Sequence, residues 1–373
     1  MKGRAMAPRP EVTVLFVDDE PGWRGGQDSL HTLLEGLWQR HFPFRLACAE
    51  GGELARRARE AGWPTDTWKP GGEFSLRNLR FLSGLLRRDR PAIVFYNTPH
   101  PAAAGILAGG RSSGRPIQVY ARRVDFPLRR NPFSRWKHNR MDACVAISGA
   151  VRDTLARGGF DSARITVIPE GFDLAKFDQA PASPLELPGD GPVFGCLAAL
   201  TPEKGVDVLV RAFARHVASG HQSRLWVAGA GHQSEELHRL AAGLGLGERI
   251  RWLGFRPDPA GLARAMDALV MPSRSEGFGR AALYAMAAGR PVVASAVGGL
   301  LDVVVDGETG LLVPPGEDAA LAAALDRLAA RPDERQALGQ HGRERLEALF
   351  TVDRHIERHL RLFQNLLAKK GRS

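Results

Sequence analysis

The sequence predicts an α/β protein built as two doubly wound, Rossmann-like halves, and three observations carry that reading. Short apolar runs alternate with helix-length amphipathic segments from Glu11 to Ile168; a proline-rich break interrupts them at Gln179–Gly191; and the alternation restarts at Val193. Strands separated by helices pair in parallel and are covered on both faces. With 373 residues the chain is long enough for two cores. The expected division is a first domain over 1–180, a second over 181–351, and a closing helix over 352–373 that packs back on the first domain. Two such halves place a ligand cleft between them, at the carboxyl ends of both sets of strands.

In the first half, Glu11–Val17 (EVTVLFV) reads as a strand. The loop Asp18–Gly26 follows, with three carboxylates and several glycines, and then a helix from about Gln27 to Arg40. That helix carries Leu30, Leu33, Leu34, Leu37 and Trp38 at helical spacing. Phe44–Ala49 is the next strand and Glu53–Ala61 a short basic helix. Leu76–Arg90 is a helix with leucines on one face and Arg77, Arg80, Arg87, Arg88 and Arg90 on the other. Ala92–Tyr96, Ile117–Ala121, Ala143–Ile147 and Ile165–Ile168 are strands, and Ser148 is placed to cap a helix over Gly149–Arg157.

In the second half, strands are expected at Val193–Leu197, Arg224–Ala228, Ile250–Leu253, Ala268–Met271 and Pro291–Ala294. Helices are expected at Lys204–Ala218, Ser234–Leu244, Pro259–Ala265 and from Gly277 to about Ala288. From Asp318 onward the chain is helical. The stretch Met271–Pro315 organises this half. A polar loop, Ser273–Glu276, leads into Gly277-Phe278-Gly279 at a helix start, which leaves unpaired N–H groups aimed at one point and favours anions and polar oxygens. Glu276 stands at the lip of that turn, where its carboxylate can accept hydrogen bonds from ligand hydroxyls.

Composition narrows the function. Apolar and charged contents of 44% and 25% are those of a globular protein, and no apolar run is long enough to span a bilayer. Cys48, Cys144 and Cys196 stand apart with no Cys-x-x-Cys pair, and MKGRAMAPRP has no apolar segment after its basic residues. The expectation is a cytoplasmic protein without structural zinc. The net charge of +10 is uneven: residues 1–180 carry 28 Lys and Arg against 19 Asp and Glu, and 101–150 alone carry nine against two. A basic half suits an anionic partner: nucleic acid, a phosphorylated substrate or an acidic membrane leaflet. Arginines over 122–140 are interleaved with Phe126, Phe133 and Trp136, but no nucleic-acid-binding motif accompanies them, so no nucleic-acid partner is expected.

The order of motifs resembles the glycosyltransferases of family 4, which have the GT-B fold, over nearly the whole chain. Ser275-Glu276-Gly277-Phe278-Gly279 with Ala285–Ala294, then Gly298-Gly299 and Asp306–Val313, look like the family's donor-site signature. Leu200–Asp207 (LTPEKGVD) looks like its diphosphate-binding turn. Ala146-Ile147-Ser148 and Ile168–Asp173 match landmarks of the first domain, with Glu170 where Asn is usual. Gly25-Gly26 sits where the family's first loop approaches donor phosphates.

The resemblance implies a retaining, hexosyltransferase-type enzyme with a nucleotide-sugar donor and no cofactor or bound metal. No His/Asp cluster has metal-ligand spacing in the sequence. It implies Glu276 and Lys204 as catalytic residues. Gly25, Gly26, Lys204, Phe255, Glu276, Gly277, Phe278, Gly279 and Tyr284 would bind the donor, Phe278 as an apolar wall. The implied acceptor is a cell-envelope glycan or glycolipid such as lipopolysaccharide core, with peripheral contact on the inner face of the cytoplasmic membrane.

Three positions depart from the pattern. Tyr284 replaces the second signature glutamate, which usually holds the ribose hydroxyls; Ala199 replaces an arginine five residues before Lys204; and the histidine often found in the first domain's active loop is not evident. Arg122, Arg123 and Asp125 stand at the end of the Ile117 strand as acceptor-side candidates instead. The alternatives are a same-fold enzyme with a soluble sugar acceptor, or a degenerate scaffold or sensor.

Overall fold

A computed structural model of the chain describes residues 13–110, 114–128, 131–181 and 191–370. Among these the chain divides into two units. The first, built from 13–147, 151–171 and 352–370, holds a seven-stranded parallel sheet. Its strands are β1 (Val14–Asp18), β2 (Phe44–Ala49), β3 (Thr65–Trp68), β4 (Ile93–Tyr96), β5 (Ile117–Arg122), β6 (Ala143–Ala146) and β7 (Ile165–Val167), in the order 3-2-1-4-5-6-7. All five residues of β1 are buried, as a strand covered on both faces must be. Phe16 packs against Phe95 and Phe363 in the core.

The last helix, Val352–Lys370, belongs to this first unit and packs along the helix Gly25–Gln39. Ile356, Leu362 and Phe363 are its buried anchors. The approach is close: a Cβ on Gly36 would lie 1.8 Å from Ile356 Cδ1, so any larger residue here would have to displace that side chain.

The second unit, 148–150 and 172–351, holds six parallel strands: β8 (Val193–Leu197), β9 (Arg224–Ala228), β10 (Ile250–Gly254), β11 (Ala268–Met271), β12 (Val292–Ser295) and β13 (Gly310–Val313), in the order 10-9-8-11-12-13. In each sheet the order reverses once, between β1 and β4 and between β8 and β11. The carboxyl ends of the strands at such a reversal are where doubly wound sheets bind ligands.

Some elements lie where periodicity gave no signal. The edge strand β3 (TDTW) buries only its tryptophan. The helix Ala102–Gly109 (AAAGILAG) is buried on nearly every side and so shows no amphipathic period. The second unit also begins at Phe172, not after residue 180. Phe172 N–H donates to Phe350 O at 2.7 Å. The short helix Leu174–Gln179 then packs Phe177 against Phe172 and Tyr284, with Arg264 donating to Ala180 O. Most of the proline-rich break, 182–190, lies outside the described residues. No helix among the described residues is long and apolar enough to cross a membrane.

Candidate active site

The reversal between β8 and β11 carries a pocket of about 210 Å³ lined by Leu197, Ala199, Lys204, Ser273, Glu276 and Arg280, among others. Lys204 Nζ lies 2.7 Å from Glu276 Oε2, and both side chains are largely shielded. Two loops distant in sequence hold this pair. The turn before the helix Val206–Ala218 ends at Gly205, in the left-handed region at φ +63°, where a Cβ would also meet Pro272 O at 2.1 Å. Glu203 O accepts from Arg274 N–H at 2.8 Å, and Arg274 spans both loops, donating to Pro202 O and, through two bonds of 2.7 Å, to Asp207.

The glutamate loop is braced from behind. Gly299 N–H donates to Glu276 O at 2.9 Å, and a Cβ on Gly298 would lie 1.9 Å from the same oxygen. Ser148 Oγ, read as a helix cap, donates to Gly277 O at 2.8 Å. Gly279 takes φ +97° to open the helix Arg280–Ala287.

Burial alone would push the Asp207 carboxyl up, but the guanidinium hydrogen bonds of Arg274 and Arg211 outweigh it and hold the group at about 2, against an ordinary 3.8. A depressed carboxylate contributes stability that is fully present above pH 4 and is lost as the pH falls towards 2. Arg274→Ala should therefore lower the melting temperature at pH 7, and the gap to the parent protein should close between pH 4 and 2. A gap unchanged across that window would remove Asp207 as the partner that matters.

The remaining expected site residues fare differently. Phe278 is 4% exposed and meets Phe350 edge-on at 5.9 Å, so its ring is spent in the core and forms no wall to the pocket. The Tyr284 ring packs edge-on against Phe172 at 5.0 Å and does not line the pocket. Phe255 is 78% exposed just beyond the carboxyl end of β10. Ala199 leaves no cation beside Lys204 on the β8 side, yet Arg280 lines the pocket from the other. Sequence reading missed Arg280. Its signal is an arginine in a helix's first turn, where a positive charge opposes the dipole and needs another reason to be there.

In the first unit, the reversal between β1 and β4 gathers a polar network at its carboxyl end. Asp18 accepts from Gln27 Nε2 at 2.9 Å and from Asn97 Nδ2 at 2.5 Å. Arg123 donates to Asn97 Oδ1, and its stem passes beside Gly26, at the start of the helix Gly25–Gln39. A Cβ on Gly25 would meet nothing within 4 Å, which leaves open space at this helix start. Burial pulls the Arg123 guanidinium down while Glu170 and Asp18 oppose it, and burial pushes Asp18 up. The other acceptor-side candidates serve local structure: Arg122 donates to Phe126 O, and Asp125 accepts from Thr154 Oγ1 at 2.5 Å.

Known proteins bear on both units. The model described as Glycosyl transferases group 1 matches residues 180–345, and that described as Glycosyltransferase Family 4 matches 23–176. A D-inositol 3-phosphate glycosyltransferase of Nocardia farcinica is 32% identical over 323 residues, covering 82% of this chain and 68% of its own length. The chain belongs to glycosyltransferase family 4. Against the Mycobacterium tuberculosis protein of the same name, this family 4 chain is 33% identical over 314 residues, 79% of its length and 60% of the relative's. Against that of Actinosynnema mirum it is 41% identical over 195 residues, 48% and 46%. It thus spans about half to two thirds of the length of these curated relatives. Among solved structures, a glycosyltransferase of Rickettsia africae superimposes with a TM-score of 0.85 at 20% identity, covering 96% of this chain and 99% of its own. Anabaena HepE in complex with UDP gives 0.80 at 21%, covering 95% and 100%. The family 4 chain therefore has the GT-B fold.

Proposed function

We propose that this protein moves a sugar from a nucleotide-sugar to a cell-envelope glycan or glycolipid, lipopolysaccharide core or similar, with retention of anomeric configuration and no metal at the donor site. The observation that carries the donor half is the Lys204–Glu276 pair at the reversal of the second sheet. Departure of a nucleoside diphosphate builds negative charge, which a fixed cation in a shielded pocket stabilises most in the transition state. Lys204 is that cation and Arg280 the second. On donor binding Glu276 exchanges its lysine for sugar hydroxyls, and Phe255 offers an exposed ring to the base. HepE has been solved with UDP and with UDP-glucose, which supports a uridine donor.

A feature of the first unit supports a lipid-borne acceptor. Phe74, Leu76, Leu79, Leu107, Phe133 and Trp136 line an apolar groove of about 330 Å³, large enough to take a small ligand. Phe74 is 78% exposed and Leu76 67%, which leaves apolar surface without a protein partner. The two helices that border it, Leu76–Asp89 and Pro132–Asn139, also carry the exposed arginines Arg77, Arg80 and Arg135. Of the aromatics read along the sequence as interleaved with arginines, Phe133 and Trp136 are groove lining: Phe133 lies 4.7 Å from Phe74 and stacks on Trp136 at 5.6 Å. An apolar slot with a cationic border suits an anionic lipid surface.

The name of the inositol-phosphate relatives favours a second reading, a soluble phosphorylated polyol as acceptor, for which Arg123 beside Gly26 is the cation at hand. The test is a nucleotide-sugar panel read by nucleoside diphosphate release, with lipid-linked and soluble acceptors in parallel, and flotation with phosphatidylglycerol vesicles. The parent protein should float and Phe74→Ser should not. A protein that stays with the soluble fraction and turns over only with a polyol phosphate would establish the second reading; silence across the donor panel would overturn both.

A further inference from the structure

Towards the far end of the helix Val206–Ala218 from the Lys204 turn, three metal-ligating groups from two segments meet in the second unit. His216 lies near the end of that helix and is fully buried. Gly220, at φ +93°, turns the chain so that the His221 ring stacks on His216 at 4.4 Å, with planes 4° apart. Asp326 reaches them from the helix Asp318–Ala330: its Oδ1 is 2.5 Å from His216 Nδ1 and 3.5 Å from His221 Nε2. The three ligand atoms lie within 4.8 Å of one another. We propose that His216, His221 and Asp326 bind a divalent transition-metal ion.

The donor set fits that assignment once the partly exposed His221 ring, now stacked parallel to His216, turns so that the planes of both rings meet at the ion. Two imidazoles and a carboxylate are the ligand types that suit zinc, copper and nickel. A tetrahedral zinc with bonds of about 2.0–2.1 Å holds its donors about 3.3–3.4 Å apart. The His221–Asp326 separation already matches that spacing, and the His216–Asp326 separation needs to open by less than about 1 Å. Asp326 is 35% exposed and has room for that movement. His216 Nε2 lies 2.7 Å from Ser223 Oγ, an outer contact of the kind that fixes the ring, and ligation at Nδ1 would replace its hydrogen bond to Asp326. His221, 28% exposed, and Asp326 open towards solvent, which provides an entry path and leaves the fourth position to water. A metal here ties the end of the helix that begins at the Lys204 turn to the helix Asp318–Ala330; it takes no part in sugar transfer. Linear spacing could not reveal the site, because Asp326 lies 110 residues from His216.

The test is zinc titration of the full chain after exhaustive chelation, read by competition with a chromophoric chelator and by thermal melting. One zinc should bind per chain, and zinc at about 100 times its Kd should raise the melting temperature by several degrees. His221→Ala, at a partly exposed position, should weaken binding at least tenfold and abolish the thermal shift, whereas His341→Ala should leave both intact. Cobalt should give the intense visible bands of a tetrahedral site in the parent protein and not in His221→Ala. A parent protein that binds no zinc would show that Asp326 holds only a proton of His216 and would overturn the proposal. So would a His221→Ala variant with unchanged stoichiometry and melting shift.

Discussion

Glu276→Ala should lower the rate of sugar transfer by about 10²–10³-fold, and Lys204→Ala by a similar factor, each being the loss of one preorganised charge in a shielded site. The two groups are in contact at 2.7 Å and act on one event, so the double variant should be little worse than either single one. Folding should survive, because the side chain left behind at this pocket wall keeps some contact with solvent and can be hydrated there. The measurement is kcat for nucleoside diphosphate release with the donor found by the panel, alongside the melting temperature of each variant. Additive losses would mean that the residues act on separate steps. A Glu276→Ala protein with nearly normal kcat would remove this carboxylate from the chemistry.

The largest expected effect on stability belongs to the last helix. Ile356 is fully buried against the helix Gly25–Gln39, and Phe363 meets Phe16 and Phe95 in the core of the first sheet. Ile356→Ala should cost about 2–5 kcal/mol and Phe363→Ala about 3–5 kcal/mol. Whole domains are stable by only about 5–15 kcal/mol. Removing residues 352–373 altogether should therefore leave the first sheet unable to hold its fold. Urea unfolding of the point variants, and tryptic digestion of the shortened chain, would measure this. A shortened chain as resistant to digestion as the full one would show that the helix is dispensable.

Much of this architecture was legible in the sequence, and the reasons are local. Apolar runs such as Val14–Val17 and Ala268–Met271 have the length and bounds of buried parallel strands. Glu276 drew notice as a carboxylate in a glycine-bearing turn at a helix start and Lys204 through the resemblance to family 4, whereas their contact across two loops was not legible in either stretch. Nor was side-chain direction. Phe278 stands one residue beyond Gly277 yet turns into the core, because the left-handed Gly279 that follows redirects the chain. Tyr284 looked like a substitute for a ribose-binding carboxylate, but its ring completes an aromatic cluster with Phe172 and Phe177, whose helix had no periodic signal of its own. His216, His221 and Asp326 meet only through the packing of two helices, which no reading of neighbouring residues anticipates.

The discontinuity of the first unit also bears on how the protein is made. Its sheet is complete by residue 167, but its core still lacks Ile356, Leu362 and Phe363, which follow the intervening residues 172–351. At about 5–20 residues per second, a ribosome needs roughly 10–40 s to cross that interval. Throughout it, the nascent chain displays the seat of the final helix, an uncovered apolar face beside Leu30, Leu33 and Leu37. The first unit can thus finish folding only after residues 172–351 have been made, and until then this apolar face stays uncovered.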